Sequence, residues 1–374
     1  MTLWRESKDG EHLRVKMKVP EEAPCDECRR SRLLPALLAE ARSQPADCGN
    51  APSPPPWLHR DKVAIGQAVF QRYFLSIFVS NLVGLLCLLT VETVVRVLAF
   101  TGRSSLPSTS YKRYLSTINH LRQWYSSDVF NKESRAYKSI QLVRRMHTSS
   151  HFEAQKSQKC FTSQADMVVT QWAFFGLALT HGSQFGVRLT REEEEGLVHF
   201  WRIIGYLLGI EEKYNLAKGS IEEVKTNCHA LVHKIIIPGL VTPPPEFHPM
   251  ADAMLHGIHL IVPVMDPPAF AEFTKCIFGI GYSTSKLSWH SRFIFNIMKW
   301  NFCTLLHIPV LNVLLRVYEN FLLTFALFIC NSLPVIRSYY TWVQKKVSGL
   351  WQDITESFMN IIKGILLLFN LESS

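Results

Sequence analysis

The sequence predicts an all-α protein: a multi-helix domain followed by hydrophobic C-terminal helices. Three observations predict it. From Asp61 onward apolar residues recur at spacings of three and four, the period of a helix face. No segment alternates apolar and polar residues as a half-buried strand does. And two apolar runs are preceded by capping chemistry: Ser163 with Asp166 three residues on, and the acids of RLTREEEEG at 188–196. The chain has 374 residues, ample for a sizeable core. It is 47% hydrophobic and only 19% charged, below the usual quarter for soluble domains, which leans it towards lipid or a greasy interior.

Residues 1–56 mix charges with small residues and end in APSPPP, so they are expected to form a flexible polar extension with one short helix over Arg32–Arg42. The first residues are polar and lack an apolar h-region, so no cleavable signal peptide is expected. Order is expected to begin at Trp57, with a domain over 57–237. Tyr73 to Val91 are nineteen positions without a charge, the length of a membrane span. Ser76, Ser80, Asn81 and Thr90 lie within or at the end of that run, so a central buried helix explains it equally well. GRSSLPSTSY at 102–111 reads as a loop. Helices follow over Lys112–Trp124, Ala136–His151 and Thr162–Thr180, with a fourth after the acids. In that fourth helix Leu197, Phe200, Trp201, Ile204 and Leu208 should face inward, and Gly205 and Gly209 should permit close backbone approach.

PGLVTPPPEFHP at 238–249 cannot be helical throughout and separates the core from a region over 250–374. There, 300–315 and 320–336 are charge-free runs expected to form a helical hairpin in or on a membrane, and Phe358–Leu371 is a further amphipathic piece. Net charge is +9, concentrated late: eight Lys/Arg against Glu319 alone between Lys275 and Leu350. A basic, aromatic-rich, Leu/Phe-rich region suits an anionic membrane surface, and a nucleic-acid partner is not expected. The nine cysteines are scattered and odd in number, which favours reduced thiols. Cys25 and Cys28 form a lone CxxC, a weak zinc signal beside a solvated thiol pair.

Chemistry concentrates on two of these helices. Ile140, Val143 and His147 share one face, with Arg144 and Arg145 beside it. An imidazole among aliphatic side chains, next to guanidiniums that can meet carboxylates, suits a haem with its propionates. A core histidine bonded to a carbonyl is the plainer alternative. On the preceding helix Arg113, Thr117, His120 and Trp124 recur on one side. If that side is buried, something polar must occupy the space beside it. Arg113 and Thr117 are then candidate hydrogen-bond donors to bound dioxygen, against the alternative of an exposed face.

Taken together these segments resemble the catalytic domain shared by bacterial latex-clearing rubber oxygenases and the fungal ER-bound MpaB oxygenase. The resemblance runs in order through Pro56-Trp57, Asp61 with Gly66-Gln67, TGR at Thr101–Arg103, RYLST at Arg113–Thr117 and LVRRMH at Leu142–His147. It continues through TSQADMVVTQWAF at Thr162–Phe174 and EEGLVHFWRIIGYLLGI at Glu194–Ile210, about half the chain. It implies an all-helical domain binding one haem b and oxidising carbon–carbon double bonds of isoprenoid chains. It places the proximal iron ligand on His147 and the distal arginine and threonine on Arg113 and Thr117; of the two guanidiniums beside the His147 face, Arg145 is the expected cofactor contact. One group of rubber oxygenases has a lysine before that threonine; Ser116 stands there here, which implies an open distal side. Glu92 is the nearest match to a distal glutamate, in a loop context that differs.

The expected function is therefore a haem-dependent oxygenase at an intracellular membrane, the endoplasmic reticulum by resemblance. Its partners would be a lipophilic alkene or isoprenoid substrate and dioxygen. The competing expectation is a membrane-anchored helical protein that binds lipid or a partner without catalysis.

Overall fold

The computed structural model describes residues 26–102, 104–156, 161–262 and 265–332, with the side chains of 150–156 left out. Cys25, Arg103, Cys160 and the Phe358–Leu371 piece lie outside the described residues.

Two short helices, α1 (Asp26–Arg30) and α2 (Leu33–Ala39), open the described chain. The expected short helix is present, but this segment is not a loose extension. Leu33, Leu34 and Leu37 stand on one helix face and are buried in the core, where α1 and α2 lie against a later helix, α10. A segment judged polar by average composition is thus anchored by three leucines.

Next come α3 (Arg60–Arg72) and α4 (Phe74–Leu88), bent from one another by 92° at Tyr73. The charge-free run is therefore a central core helix: nearly every side chain of α4 is buried. The bend frees backbone groups, and Asn320, far along the chain, satisfies them. Its Oδ1 accepts from Leu75 N at 2.9 Å and its Nδ2 donates to Arg72 O at 3.0 Å. The Tyr73 hydroxyl donates to Arg188 O at 2.8 Å.

After α5 (Glu92–Thr101) the chain turns through Gly102 and enters α6 (Pro107–Trp124), with proline in the first turn where no amide hydrogen is needed. The loop is thus shorter than 102–111. Then follow α7 (Arg135–Lys156), α8 (Gln164–Thr180) and α9 (Arg191–Leu207). The expected capping box of Ser163 with Asp166 opens α8, and at the acid-rich start of α9 Thr190 and Glu193 form a second one. Each cap contributes about 1 kcal/mol.

The core is built from crossed pairs, α3 on α9, α4 on α8 and α6 on α7. Gly84 lets α4 and α8 touch, since a Cβ there would stand 2.2 Å from Ala173 O. Gly66 and Gly196 do the same for α3 and α9. The expected roles of Gly205 and Gly209 are different in kind. Gly205 makes room for the Gln171 amide, and Gly209 turns the chain with φ +91°.

The proline-rich connection is helical in its first part. After α10 (Ile221–Leu231) a π-helical turn at Val232–Ile236 leads to α11 (Ile237–Val241). Next, α12 (Phe247–His259) packs against α6, and α13 (Pro267–Ile277) joins the same core. One buried cluster includes residues from the helices on both sides of 238–249. The chain continues through α14 (Trp289–Cys303) into α15 (Pro309–Ser332), a single long helix. The expected hairpin between 315 and 320 does not form. The charges that divide the two apolar runs are accommodated on one helix: Arg316 lies over the Tyr73 ring at 4.9 Å, and Glu319 accepts from Asn301 Nδ2 at 2.6 Å.

Candidate active site

The site residues sit on α6 and α7, which pack side by side. On α7, Ile140 and Val143 are buried and His147 continues their face one turn on. Its Nδ1 is shut off from solvent and has no hydrogen-bond partner among the described residues. Burial, and secondarily the positive charge of Arg113, push the His147 pKa down to about 4. The imidazole is therefore neutral at physiological pH, the form that ligates a metal. Arg113 lies within electrostatic range of His147, on the helix packed beside α7.

Thr117 stands one turn beyond Arg113, and its hydroxyl donates to Arg113 O at 3.1 Å. Its side chain borders a narrow apolar cleft between α4 and α6, lined by Phe74, Phe78, Leu82, Tyr114 and Ile118 among others. The cleft is closely packed, with room for little more than a water molecule between its walls. Burial raises the pKa of the Tyr114 phenol, so it stays protonated in the cleft wall.

The lower half of the polar stripe on α6 is structural. Ser139 on α7 accepts from Trp124 Nε1 at 2.8 Å, and its hydroxyl meets His120 Nδ1 at 2.7 Å. Trp124 can only donate, so the Ser139 hydroxyl hydrogen is left for His120. His120 and Trp124 thus lock α6 to α7 and hold Arg113 and Thr117 in register.

The two arginines before His147 part company. Arg144 is buried and bonds the Asp47 carboxylate through Nε at 2.7 Å and through Nη2, which also donates to Asn50 Oδ1 at 2.9 Å. The carboxylate it meets belongs to the chain itself. Arg145, two residues before His147, points to the opposite side of α7 and is exposed. The structure therefore does not place Arg145 with His147. Ser116 is exposed, and Glu92 is an exposed partner of Arg96.

Asn81 was not singled out as a site residue, yet it lines the cleft and is buried. With the amide oriented to satisfy both its ends, its nitrogen donates to Phe174 O at 2.8 Å, tying it to α8. The signal was an amide in the middle of a nineteen-residue charge-free run, where polar burial needs a reason. The motif Pro56-Trp57 serves packing: Arg202 stacks over the Trp57 ring at 3.9 Å, and His199 Nε2 accepts from His59 N at 3.0 Å.

Comparison with curated proteins returns no match. Among solved structures the chain is similar to one titled "Structure of Latex Clearing Protein LCP in the closed state". The identity is 16%, the match covers 79% of this chain and 76% of that one, and the TM-score is 0.48. The sequence model described as "ER-bound oxygenase mpaB/B'/Rubber oxygenase, catalytic domain" matches residues 71–293. That stretch is more than half of the chain and takes in α4 to α13 with Arg113, Thr117 and His147. The chain therefore belongs to the family of ER-bound mpaB/B′ and rubber oxygenase catalytic domains.

Proposed function

We propose that this chain is a haem b-dependent oxygenase acting on a lipophilic alkene or isoprenoid at an intracellular membrane, the endoplasmic reticulum being our assignment. The observation that carries the reading is the His147 imidazole: neutral, with a buried and unpartnered Nδ1, on the helix that packs beside the one bearing Arg113. A buried polar atom without a partner costs about 1–3 kcal/mol, which a ligand to that ring would relieve. Among the described residues no three His, Cys, Asp or Glu side chains come together to hold a metal. A single imidazole suits a metal whose remaining ligands arrive with it, as in haem.

Haem iron, when bound, supplies the one-electron and dioxygen chemistry that the side chains here lack. The chain's own residues do the rest. His147 would hold the iron. Arg113 places a positive charge within electrostatic range of that imidazole. Thr117 and Asn81 set a narrow polar edge on the α4–α6 cleft. Phe74, Phe78 and Leu82 line the cleft and would keep water from an apolar substrate beside α6. Arg144 keeps α7 anchored through Asp47 and is not available to a propionate.

The test is spectroscopic. Full-length protein reconstituted with haem should give a Soret band, and His147→Ala should lose it or shift it to that of free haem. A wild type without a Soret band would end this reading; with the band present, prenyl alcohols and squalene serve as the first substrate panel.

A further inference from the structure

α15 is 24 residues long, about 36 Å at 1.5 Å per residue, and its composition would allow it to cross a bilayer. Its attachments argue against crossing. Asn320 is bonded to both sides of the α3–α4 bend, and further along Asn331 exchanges hydrogen bonds with Asn119 of α6, at 2.7 and 3.1 Å. Leu323, Leu327 and Cys330 are buried between those anchors. The helix is thus fastened lengthwise to the domain, and it carries Arg316 and Glu319 near its middle.

Its other side is bare. Val310, Leu314, Val317, Phe321 and Phe328 recur at spacings of three, four and seven and form one stripe, each between 53% and 71% exposed. A stripe of this length is more than scattered surface apolarity, and marks an interaction surface. α14 adds Trp289, Phe293 and Trp300, all largely exposed, with Arg292 and Lys299 on the same helix. The charge balance of this part of the sequence, eight Lys/Arg to one acid between 275 and 350, selects an anionic partner.

We propose that the bare face of α15 is a docking surface for an anionic lipid bilayer, with the helix lying flat in the interface of one leaflet rather than spanning it. Aromatic and aliphatic side chains enter the headgroup–acyl boundary while the buried side stays on the domain. The anchors at Asn320 and Asn331 also lay α15 from α4 to α6, the two helices that wall the cleft. On the proposed function above, on which this last step alone rests, a lipophilic substrate leaving the leaflet meets α15 at the cleft.

Flotation of the full-length chain with vesicles tests the surface, with thermal melts as the control for folding. Wild type should float with phosphatidylcholine–phosphatidylserine vesicles and less with phosphatidylcholine alone. Val310→Lys, Phe321→Lys and Phe328→Lys should each weaken flotation by about tenfold, and alike, because a flat helix holds all three at one depth. No flotation of the wild type, or flotation unchanged in the three variants, overturns the proposal. A far larger loss for Phe321→Lys than for the end positions means a spanning helix and overturns it too. So does a wild-type dimer that Phe321→Lys dissociates without change in vesicle binding. Haem content is read separately, so His147→Ala should float as wild type does.

Discussion

Arg144 grips Asp47 through two guanidinium nitrogens, Nε at 2.7 Å, and so fastens α7 to the N-terminal segment three residues before His147. The grip is part of a wider seam. Gln164 Nε2 donates to the carbonyls of Ala46 and Gly209, and Cys48 N donates to Gly209 O. Residues 45–50 are thereby held between α7, the start of α8 and the turn after α9. The pair has side-chain exposures of only 10% and 21%, so removing one partner leaves a nearly buried charge.

Asp47→Ala should therefore destabilise the protein by about 3 kcal/mol. Urea unfolding measures it. The double variant Asp47→Leu/Arg144→Met should recover much of the loss, since apolar replacement of both partners removes the stranded charge. Equal destabilisation in single and double variants would show that the seam, not the charge, carries the effect.

How far was this legible beforehand? The starts of α8 and α9 were, the first from the Ser163–Asp166 capping box, a local bond that needs no tertiary partner, the second from its run of acids. His147 was legible as a member of an apolar face, by spacing alone. The choice between Arg144 and Arg145 was also within reach: the residue three before His147 lies near its face, the residue two before lies opposite. What composition could not show was Asp47 as the partner, in a segment whose average polarity suggested disorder. Nor could charge-free windows reveal α15, because a helix carries Arg316 and Glu319 comfortably once Tyr73 and Asn301 receive them.

Arg113 and Arg145 should behave oppositely on substitution. Arg113→Met removes the charge that, after burial, depresses the His147 pKa, so the imidazole should titrate at higher pH in the haem-free protein. Arg145→Gln should leave that titration unchanged, because its side chain is exposed on the far side of α7. NMR titration of the His147 ring decides; a shift in Arg145→Gln as large as in Arg113→Met would contradict the geometry described here.

The α4–α8 crossing should be intolerant of any side chain at Gly84. Even alanine places a Cβ 2.2 Å from a backbone oxygen that cannot rotate away. Gly84→Ala should cost about 3 kcal/mol through forced separation of the helices, although alanine favours helix by about 1 kcal/mol. By contrast Ser116→Ala, on the exposed side of α6, should lie within about 0.5 kcal/mol of wild type. Thermal melts of the two variants side by side provide the comparison.

Acid should weaken the haem-free protein between about pH 6.5 and pH 4. Burial, and then neighbouring positive charge, lower the pKa values of His181 and His199 to about 4. For His181 the neighbours are His229 and His233; for His199 they are His59, Arg202 and Lys62. In the unfolded chain both rings take up a proton near pH 6.5, while in the folded protein they stay neutral until about pH 4. Within that window the unfolded state binds more protons, so stability falls as pH falls and is regained as pH rises. His199 shows the structural cause: its Nε2 accepts a hydrogen bond from His59 N, and a protonated ring cannot accept it. Melting temperature measured against pH should slope downward on the acid side. His181→Gln should flatten that slope, because an amide adds no proton to the unfolded state. A slope unchanged by this substitution would assign the acid sensitivity elsewhere.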